Sequence, residues 1–418
     1  MTKPELYPLR GSLRVTTIGE GRHVKILPSS CHSRRLICDV DSVSFASSKM
    51  APKKTQSALI VQAKDKAQLR HDLAIPSPNP NQILIRTRAV ALNPSDWMAL
   101  ELFSRAGAGM GFDFAGTVVE LGSGTHQLWA IGERVAGMVH GYHSADYVQG
   151  AFREYILTDA DLVMRIPAHI SFAEASAIGM GISTAGQALY QSLMLSLPEV
   201  EPKPVDETIL IYGGSTSTGS LAIQLAKLSG YRVITTCSAR NKEWLRSLQA
   251  DEVIDYTDED AVMSVLDSIG AAGLTSILDC IANPDTAAFC YQCLTPSERP
   301  TPTSEPTFTY ASLMPVGSLP PKPESLPADS VIIHRMNMVY TSFGRRFNLL
   351  DRTWEPSPMD REFMVRFYRR VENLLSHGKL RSMPFTTMQG GLAGISRGIA
   401  EVRDGRVRGK KLVYVVTE

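Results

Sequence analysis

The stretch that most constrains the fold is Thr208-Ile-Leu-Ile-Tyr-Gly-Gly-Ser-Thr-Ser-Thr-Gly-Ser-Leu-Ala-Ile-Gln-Leu-Ala. Its apolar start predicts a buried strand. Its small-residue centre predicts a tight loop, and the periodic apolar residues beyond predict a helix from about Ser217 to Ser229. A helix N-terminus leaves backbone N–H groups unpaired and carries partial positive charge, so it accepts a pyrophosphate wherever no side chain intervenes. Gly213, Gly214 and Gly219 supply that access, and Ser215, Thr216, Ser217 and Thr218 add hydroxyl donors. The loop departs from the strict G-x-G-x-x-G spacing, and context carries the reading. Strands at Arg232–Thr236, Val253–Ile254 and Ser276–Asp279 follow, with a helix at Asn241–Leu248 between them. Such alternation predicts a doubly wound parallel sheet.

The second strand ends in Cys237-Ser-Ala-Arg-Asn-Lys. Sites selective for NADH carry an acid near this point to hold the ribose 2′-hydroxyl. Here Ser238, Arg240, Asn241 and Lys242 stand instead, a donor set suited to a 2′-phosphate. The expected cofactor is NADPH.

Upstream, Gln82–Leu92, Gly116–Gly122 and Gly132–Gly137 are short strand runs with glycine punctuation, predicting a β-rich, barrel-like domain. Residues 184–195 read as helix and 198–204 as a Pro-rich linker. Residues 295–330, crowded with Pro, Ser and Thr, read as a loop-rich insertion. A strand after Val331, a helix over Asp360–Gly378 and a last strand in Gly409–Val416 complete the chain. Residues 1–54 are expected to be a disordered or mis-assigned leader, with Met50 the true start. A mitochondrial presequence fits the eight Lys/Arg of residues 1–49 but not Glu5, Glu20, Asp39 and Asp41, and a docking tail is the third reading.

Composition narrows the class. A net charge of +1 gives no electrostatic case for nucleic acid. No apolar run approaches the roughly 18 residues needed to span a bilayer, and no signal-peptide core is evident. Six cysteines in 418 residues are too few for a disulfide framework, and Cys290-x-x-Cys293 lacks a second pair, so buried thiols and a cytoplasmic setting are expected.

The chain resembles the medium-chain dehydrogenase/reductases through Ala91-Leu-Asn-Pro-Ser-Asp, Gly111-Phe-Asp-Phe-Ala-Gly, Gly132-Glu-Arg-Val, Gly150-Ala-Phe-Arg-Glu-Tyr and the terminal Gly-Lys-Lys-Leu-Val. Gly181-Ile-Ser-Thr-Ala-Gly, Tyr212-Gly-Gly-Ser-Thr-Ser-Thr, Leu228-Ser-Gly-Tyr, Asp279-Cys-Ile and Gln389-Gly-Gly are similar to the fungal trans-acting enoyl reductases. The resemblance covers about residues 55–418. It implies an α/β chain: a GroES-like β-rich catalytic domain over 55–182, a Rossmann NADPH-binding domain over 183–344, and a return to the catalytic domain over 345–418. Where the zinc enzymes of the superfamily carry Gly-His-Glu, this chain has Gly111-Phe112-Asp113, and it lacks the other zinc ligands. No metal is expected, which disfavours alcohol oxidation and favours hydride addition to a conjugated double bond.

Carried over residue by residue, the resemblance implies cofactor contacts at Ser95, Asp96, Trp97, Met98, Ser215, Thr216, Ser217, Thr218, Ser238, Ala239, Arg240, Asn241, Tyr256, Leu313, Met314, Val407 and Arg408. It implies acyl-chain contacts at Thr184, Ala185, Gly186, Gln187, Ala188, Leu189, Tyr190 and Gln191, and at Val339, Tyr340, Thr341, Ser342 and Phe343. Met98 stands where the family often has Lys. The implied reaction reduces the α,β-double bond of a polyketide thioester. The implied partner is the acyl carrier domain of a polyketide synthase or synthase–peptide synthetase hybrid, and a monomer is expected. Arg345, Arg346 and Arg352 offer a face for an acidic carrier. No residue is required as proton donor: Tyr142, His140 and His143 read as exposed loop residues, leaving solvent as the source. The alternatives are a free-standing NADPH quinone or enone reductase and a non-catalytic NADPH-binding protein.

Overall fold

A computed structural model describes residues 54–142, 148–270, 273–298, 306–349 and 352–417. Two sheets organise it. The second half of the chain builds a six-stranded parallel sheet in the order Glu252–Asp255, Arg232–Cys237, Thr208–Tyr212, Ser276–Asp279, Thr307–Ser312, Val331–Met336. In chain order this is 3-2-1-4-5-6, the doubly wound arrangement whose switch point lies between the first and fourth strands. All five residues of Thr208–Tyr212 are buried, as a central parallel strand covered on both faces requires. Each of Ile209, Leu210 and Ile211 is fully buried and contributes roughly 1.5–3 kcal/mol.

The other sheet has seven strands. Its path runs Phe385–Met388, Lys411–Val415, Gln82–Ala91, Asp113–Leu121, Arg134–Met138, Met164–Arg165, with Tyr155–Asp159 also paired to Gln82–Ala91. Its pairings are antiparallel except for the one between the two C-terminal strands. The chain therefore leaves this sheet after residue 165 and returns to it at 385. The helix Gly179–Gln187, buried along its whole length, spans the expected boundary at residue 182. One apolar cluster joins the two sheets: Ile83, Val90 and Phe114 from one, Ile209, Ile211 and Val233 from the other, with Ile182, Phe367 and Tyr368 packed in as well. Among the described residues no helix is long and apolar enough to cross a membrane.

The structure corrects two sequence expectations here. The Pro/Ser/Thr-rich stretch 295–330 is not wholly loop, because Thr307-Phe-Thr-Tyr-Ala-Ser forms the fifth strand of the parallel sheet with Phe308 and Tyr310 fully buried. Its β-branched and aromatic alternation was hidden by flanking prolines, and composition outweighed the local period. Secondly, His140 and Tyr142 are not exposed loop residues. They are 8% and 1% exposed, because Phe112, Tyr340, Phe343 and Phe347 close around them. His143, and the expected leader over residues 1–53, lie outside the described residues. Cys290 and Cys293 are free, buried thiols.

Candidate active site

The predicted loop lies at the C-terminal edge of the parallel sheet. Gly213 takes φ of +79°, a left-handed turn that a side chain would strain. Gly214 and Gly219 are required by contact instead. A Cβ on Gly214 would meet Thr235 Oγ1 at 2.1 Å, and one on Gly219 would meet the Gly213 carbonyl oxygen at 2.4 Å. Thr216 caps the helix Ser217–Leu228, its hydroxyl accepting from the Gly219 N–H at 2.9 Å. Ser217 and Thr218, in the first turn, have no intrahelical acceptor for their N–H groups.

This loop forms one side of a cleft of about 730 Å³. Of the expected cofactor residues, Ser215, Thr216, Ser217, Ser238, Arg240, Asn241, Tyr256, Val407 and Arg408 line it together. Thr218, Ala239, Leu313 and Met314 are adjacent in sequence or fold but do not line it, and Lys242 begins the next helix instead. The Ser217 hydroxyl is buried there with no protein partner. A buried hydroxyl of that kind is costly unless a ligand bonds it. The loop, the open first turn, the orphan hydroxyl and the cations Arg240, Arg408 and Lys410 fit a phosphate-bearing dinucleotide.

Beside the loop lies Asp279-Cys-Ile, to which the sequence reading gave no site role; a Cβ on Gly213 would meet Ile281 Cγ1 at 3.0 Å. Ile281 and the helix start at Asn283–Thr286 line the cleft, held by Asp279. That buried carboxylate accepts from the Ile281 and Ala282 N–H groups at 2.9 and 2.8 Å, from Thr286 Oγ1 at 2.6 Å and from Tyr310 Oη at 2.8 Å. Four donors compensate its desolvation and fix the loop.

Asn93 and Lys411 also line the cleft and head a buried polar network. Lys411 Nζ reaches Asp113 Oδ2 at 2.5 Å and Asn93 Oδ1 at 3.0 Å. Asn93 Nδ2 donates to Asp113 Oδ2 at 2.9 Å, and the Met180 N–H donates to Asp113 Oδ1. From Asn93 the network continues to Asp96, whose Oδ2 accepts the Asn93 N–H at 2.7 Å and whose Oδ1 accepts from Tyr142 Oη at 3.1 Å. Burial raises the Asp96 carboxyl to about 8, and the nearby Asp113 charge adds to the shift. The sequence hint was faint: Asn93, Asp96, Asp113 and Lys411 all sit in quoted motifs, but Lys411 and Asp113 are 298 residues apart.

The other expected contacts fall outside the cleft. Asp96 is fully buried. Ser95 Oγ donates to Met180 Sδ at 3.3 Å, and Met98 is half-buried on the short helix Pro94–Met98. Trp97 borders a separate cavity of about 370 Å³ with Glu101 and Arg403. Of the expected acyl-chain residues, Ala185, Ala188 and Leu189 are fully buried, a Cβ on Gly186 would meet Phe367 at 2.2 Å, and Tyr190 Oη pairs with Ser229 Oγ at 3.0 Å. Gln191 Nε2 donates to Asp360 Oδ1 at 3.1 Å, and Thr184 is buried. The structure does bring the two acyl segments together: Gln187 Nε2 donates to Thr341 Oγ1 at 3.0 Å, beside buried Val339, Tyr340, Ser342 and Phe343. At the metal position of the zinc enzymes, Phe112 packs against Tyr142 and Tyr340 with centroids 5.2 and 5.6 Å away. Among the described residues no three His, Cys, Asp or Glu side chains converge as a metal site.

A 3-2-1-4-5-6 parallel sheet with a phosphate-cradling cleft at its switch point defines a dinucleotide-binding protein. Comparison with known proteins refines this. Residues 79–168 match the alcohol dehydrogenase GroES-like domain, and residues 217–301 match the zinc-binding dehydrogenase family. A trans-enoyl reductase of Aspergillus sclerotiorum, resD, is 37% identical over 372 residues, covering 86% of this chain and 99% of its own. Another from Penicillium crustosum, traG, is 35% identical over 367 residues, with 86% and 97% covered. Among solved structures, an alcohol dehydrogenase superfamily protein of Novosphingobium aromaticivorans superposes with a TM-score of 0.68 at 21% identity, covering 87% of this chain and all of its own. The CurK enoyl reductase does so at 0.64 and 17%, covering 86% and 99%. The chain belongs to the fungal trans-enoyl reductases of the medium-chain dehydrogenase/reductase superfamily. That family implies a nicotinamide cofactor.

Proposed function

We propose that the protein is a trans-acting enoyl reductase. It uses NADPH to reduce the α,β-double bond of a polyketide thioester carried on a partner synthase in secondary metabolism. The observation that carries the cofactor choice is the gathering of Ser238, Arg240, Asn241 and Arg408 in the same cleft as the phosphate loop, while the turn Cys237–Lys242 itself carries no acid. Family membership supports the reaction and the partner class.

When bound, the nicotinamide supplies a hydride to the β-carbon of the conjugated thioester. The chain's own residues bind and orient. The loop and first turn at Ser215, Thr216 and Ser217 would hold the pyrophosphate, Arg240 and Arg408 would hold the 2′-phosphate, and Tyr256 would border the adenosine end. Carrier docking is not assigned to the expected arginine cluster. Arg345 is paired to Asp159 at 2.5 Å, Arg346 to Glu355 at 3.1 Å, and Arg352 lies 4.3 Å over the Trp354 ring.

The test is NADPH oxidation with a crotonyl pantetheine thioester, compared with small quinones. Faster turnover of the thioester is expected. Equal or faster turnover of quinones would favour a free-standing quinone reductase, and cofactor binding without oxidation of either would overturn the enzymatic reading.

A further inference from the structure

Three fully or nearly fully buried ionisable groups lie between the cleft and the interior. Asp96 and Asp113 are 0% exposed and Lys411 is 4% exposed. Two carboxylates against one ammonium leave an excess negative charge in a low-dielectric layer, which such a layer does not tolerate. One carboxyl therefore keeps a proton. Asp113 has the Lys411 ammonium, Asn93 Nδ2 and the Met180 N–H as donors. Asp96 has one backbone N–H and the Tyr142 hydroxyl. Asp96 is the poorer site for a carboxylate, and the stored proton sits there. Burial pushes the Asp96 carboxyl up to about 8, consistent with this assignment.

Tyr142 is the second part. Its φ of +65° places a non-glycine aromatic residue in the left-handed region, a strain that persists only where surrounding contacts fix it. Its ring is held against Phe112, and Phe112 against Tyr340. Tyr340 stacks on His140 with centroids 4.3 Å apart. The Tyr142 hydroxyl thus lies between the Pro94–Met98 helix, which carries expected cofactor contacts, and Val339–Phe343, expected at the acyl chain.

We propose that Tyr142 is the proton donor for reduction of the enoyl thioester, with Asp96 as the positioning residue that stores and resupplies the proton. The proposal rests on the enoyl-reductase reading. In the structure the Tyr142 O–H donates to Asp96 Oδ1; for transfer it turns to the substrate, and after hydride reaches the β-carbon the Tyr142 O–H bond breaks and a C–H bond forms at the α-carbon of the enolate. The Asp96 Oδ1–H bond then breaks, its proton passing to the Tyr142 oxygen. Asp96 is left as a carboxylate and regains a proton from solvent. The groups facing this pair are Asp113 and Lys411 through Asn93 on one side, and Tyr340 with His140 behind it on the other.

The experiment uses the full chain with crotonyl pantetheine thioester and NADPH. Tyr142→Phe should lower kcat at least about 100-fold, leave the NADPH Kd unchanged, and abolish the facial preference of deuterium uptake at the α-carbon in D2O. Asp96→Asn should lower kcat and remove the fall in wild-type rate above about pH 8. Independently of turnover, Asp96→Asn should flatten the decline in thermal stability between about pH 4 and 8. Retention of wild-type kcat and stereochemistry by Tyr142→Phe would overturn the proposal alone. An unchanged stability profile in Asp96→Asn would overturn the proton store whether or not the protein turns over. Absence of enoyl turnover in the wild type would overturn the underlying reading, and the donor role with it.

Discussion

Replacing Lys411 by Met removes the ammonium paired with Asp113 while keeping most of the side-chain volume. Lys411 is 4% exposed and Asp113 0%, with 2.5 Å between nitrogen and oxygen, so solvent screens the pair little. Losing one partner of such a pair costs about 3–5 kcal/mol, because the other charge stays buried without compensation. Two hydrogen bonds to Asp113 remain, from Asn93 Nδ2 and the Met180 N–H, which places the expected loss near 3 kcal/mol. Against a total stability of about 5–15 kcal/mol this is a large fraction. Urea unfolding followed by circular dichroism reads it out. The double variant Lys411→Met/Asp113→Asn, which removes both charges, should recover more than half of the loss. A double variant losing the sum of the two single losses would refute the account of a compensated buried pair.

Gly219→Ala puts a Cβ 2.4 Å from the Gly213 carbonyl oxygen and should cost about 1–3 kcal/mol and weaken NADPH binding at least tenfold by fluorescence titration. Arg240→Ala with Lys242→Ala should raise the NADPH Kd while sparing NADH, and equal effects on both would remove the 2′-phosphate assignment. In wild type the Asp96 carboxyl, raised to about 8, makes stability fall with pH by up to about 1.4 kcal/mol per unit between pH 4 and 8. Differential scanning fluorimetry of Asp96→Asn across that window should show a shallower slope.

Much was legible in the chain because it was local. The strand at Thr208–Tyr212, the loop glycines and the helix from Ser217 follow from residues within twenty positions of one another, and strand–helix alternation determined the parallel sheet. The proposal of a 2′-phosphate rests on the same short-range logic, the absence of an acid after Cys237. Local reading failed where a bias in composition masked a short period, as at Thr307–Ser312. It also failed where exposure depends on what packs from elsewhere: His140 and Tyr142 look like loop residues until Tyr340 and Phe343 arrive from two hundred residues downstream.

The tertiary structure alone decided the charge pairing beneath the cleft. No spacing links Asp113 to Lys411 or Asp96 to Tyr142, since antiparallel register and loop closure bring them together. Backbone preferences and hydrophobic period are properties of neighbouring residues and can be read along the chain. Protonation state is a property of burial and of the charges nearby, and for Asp96 both are set only when the fold closes.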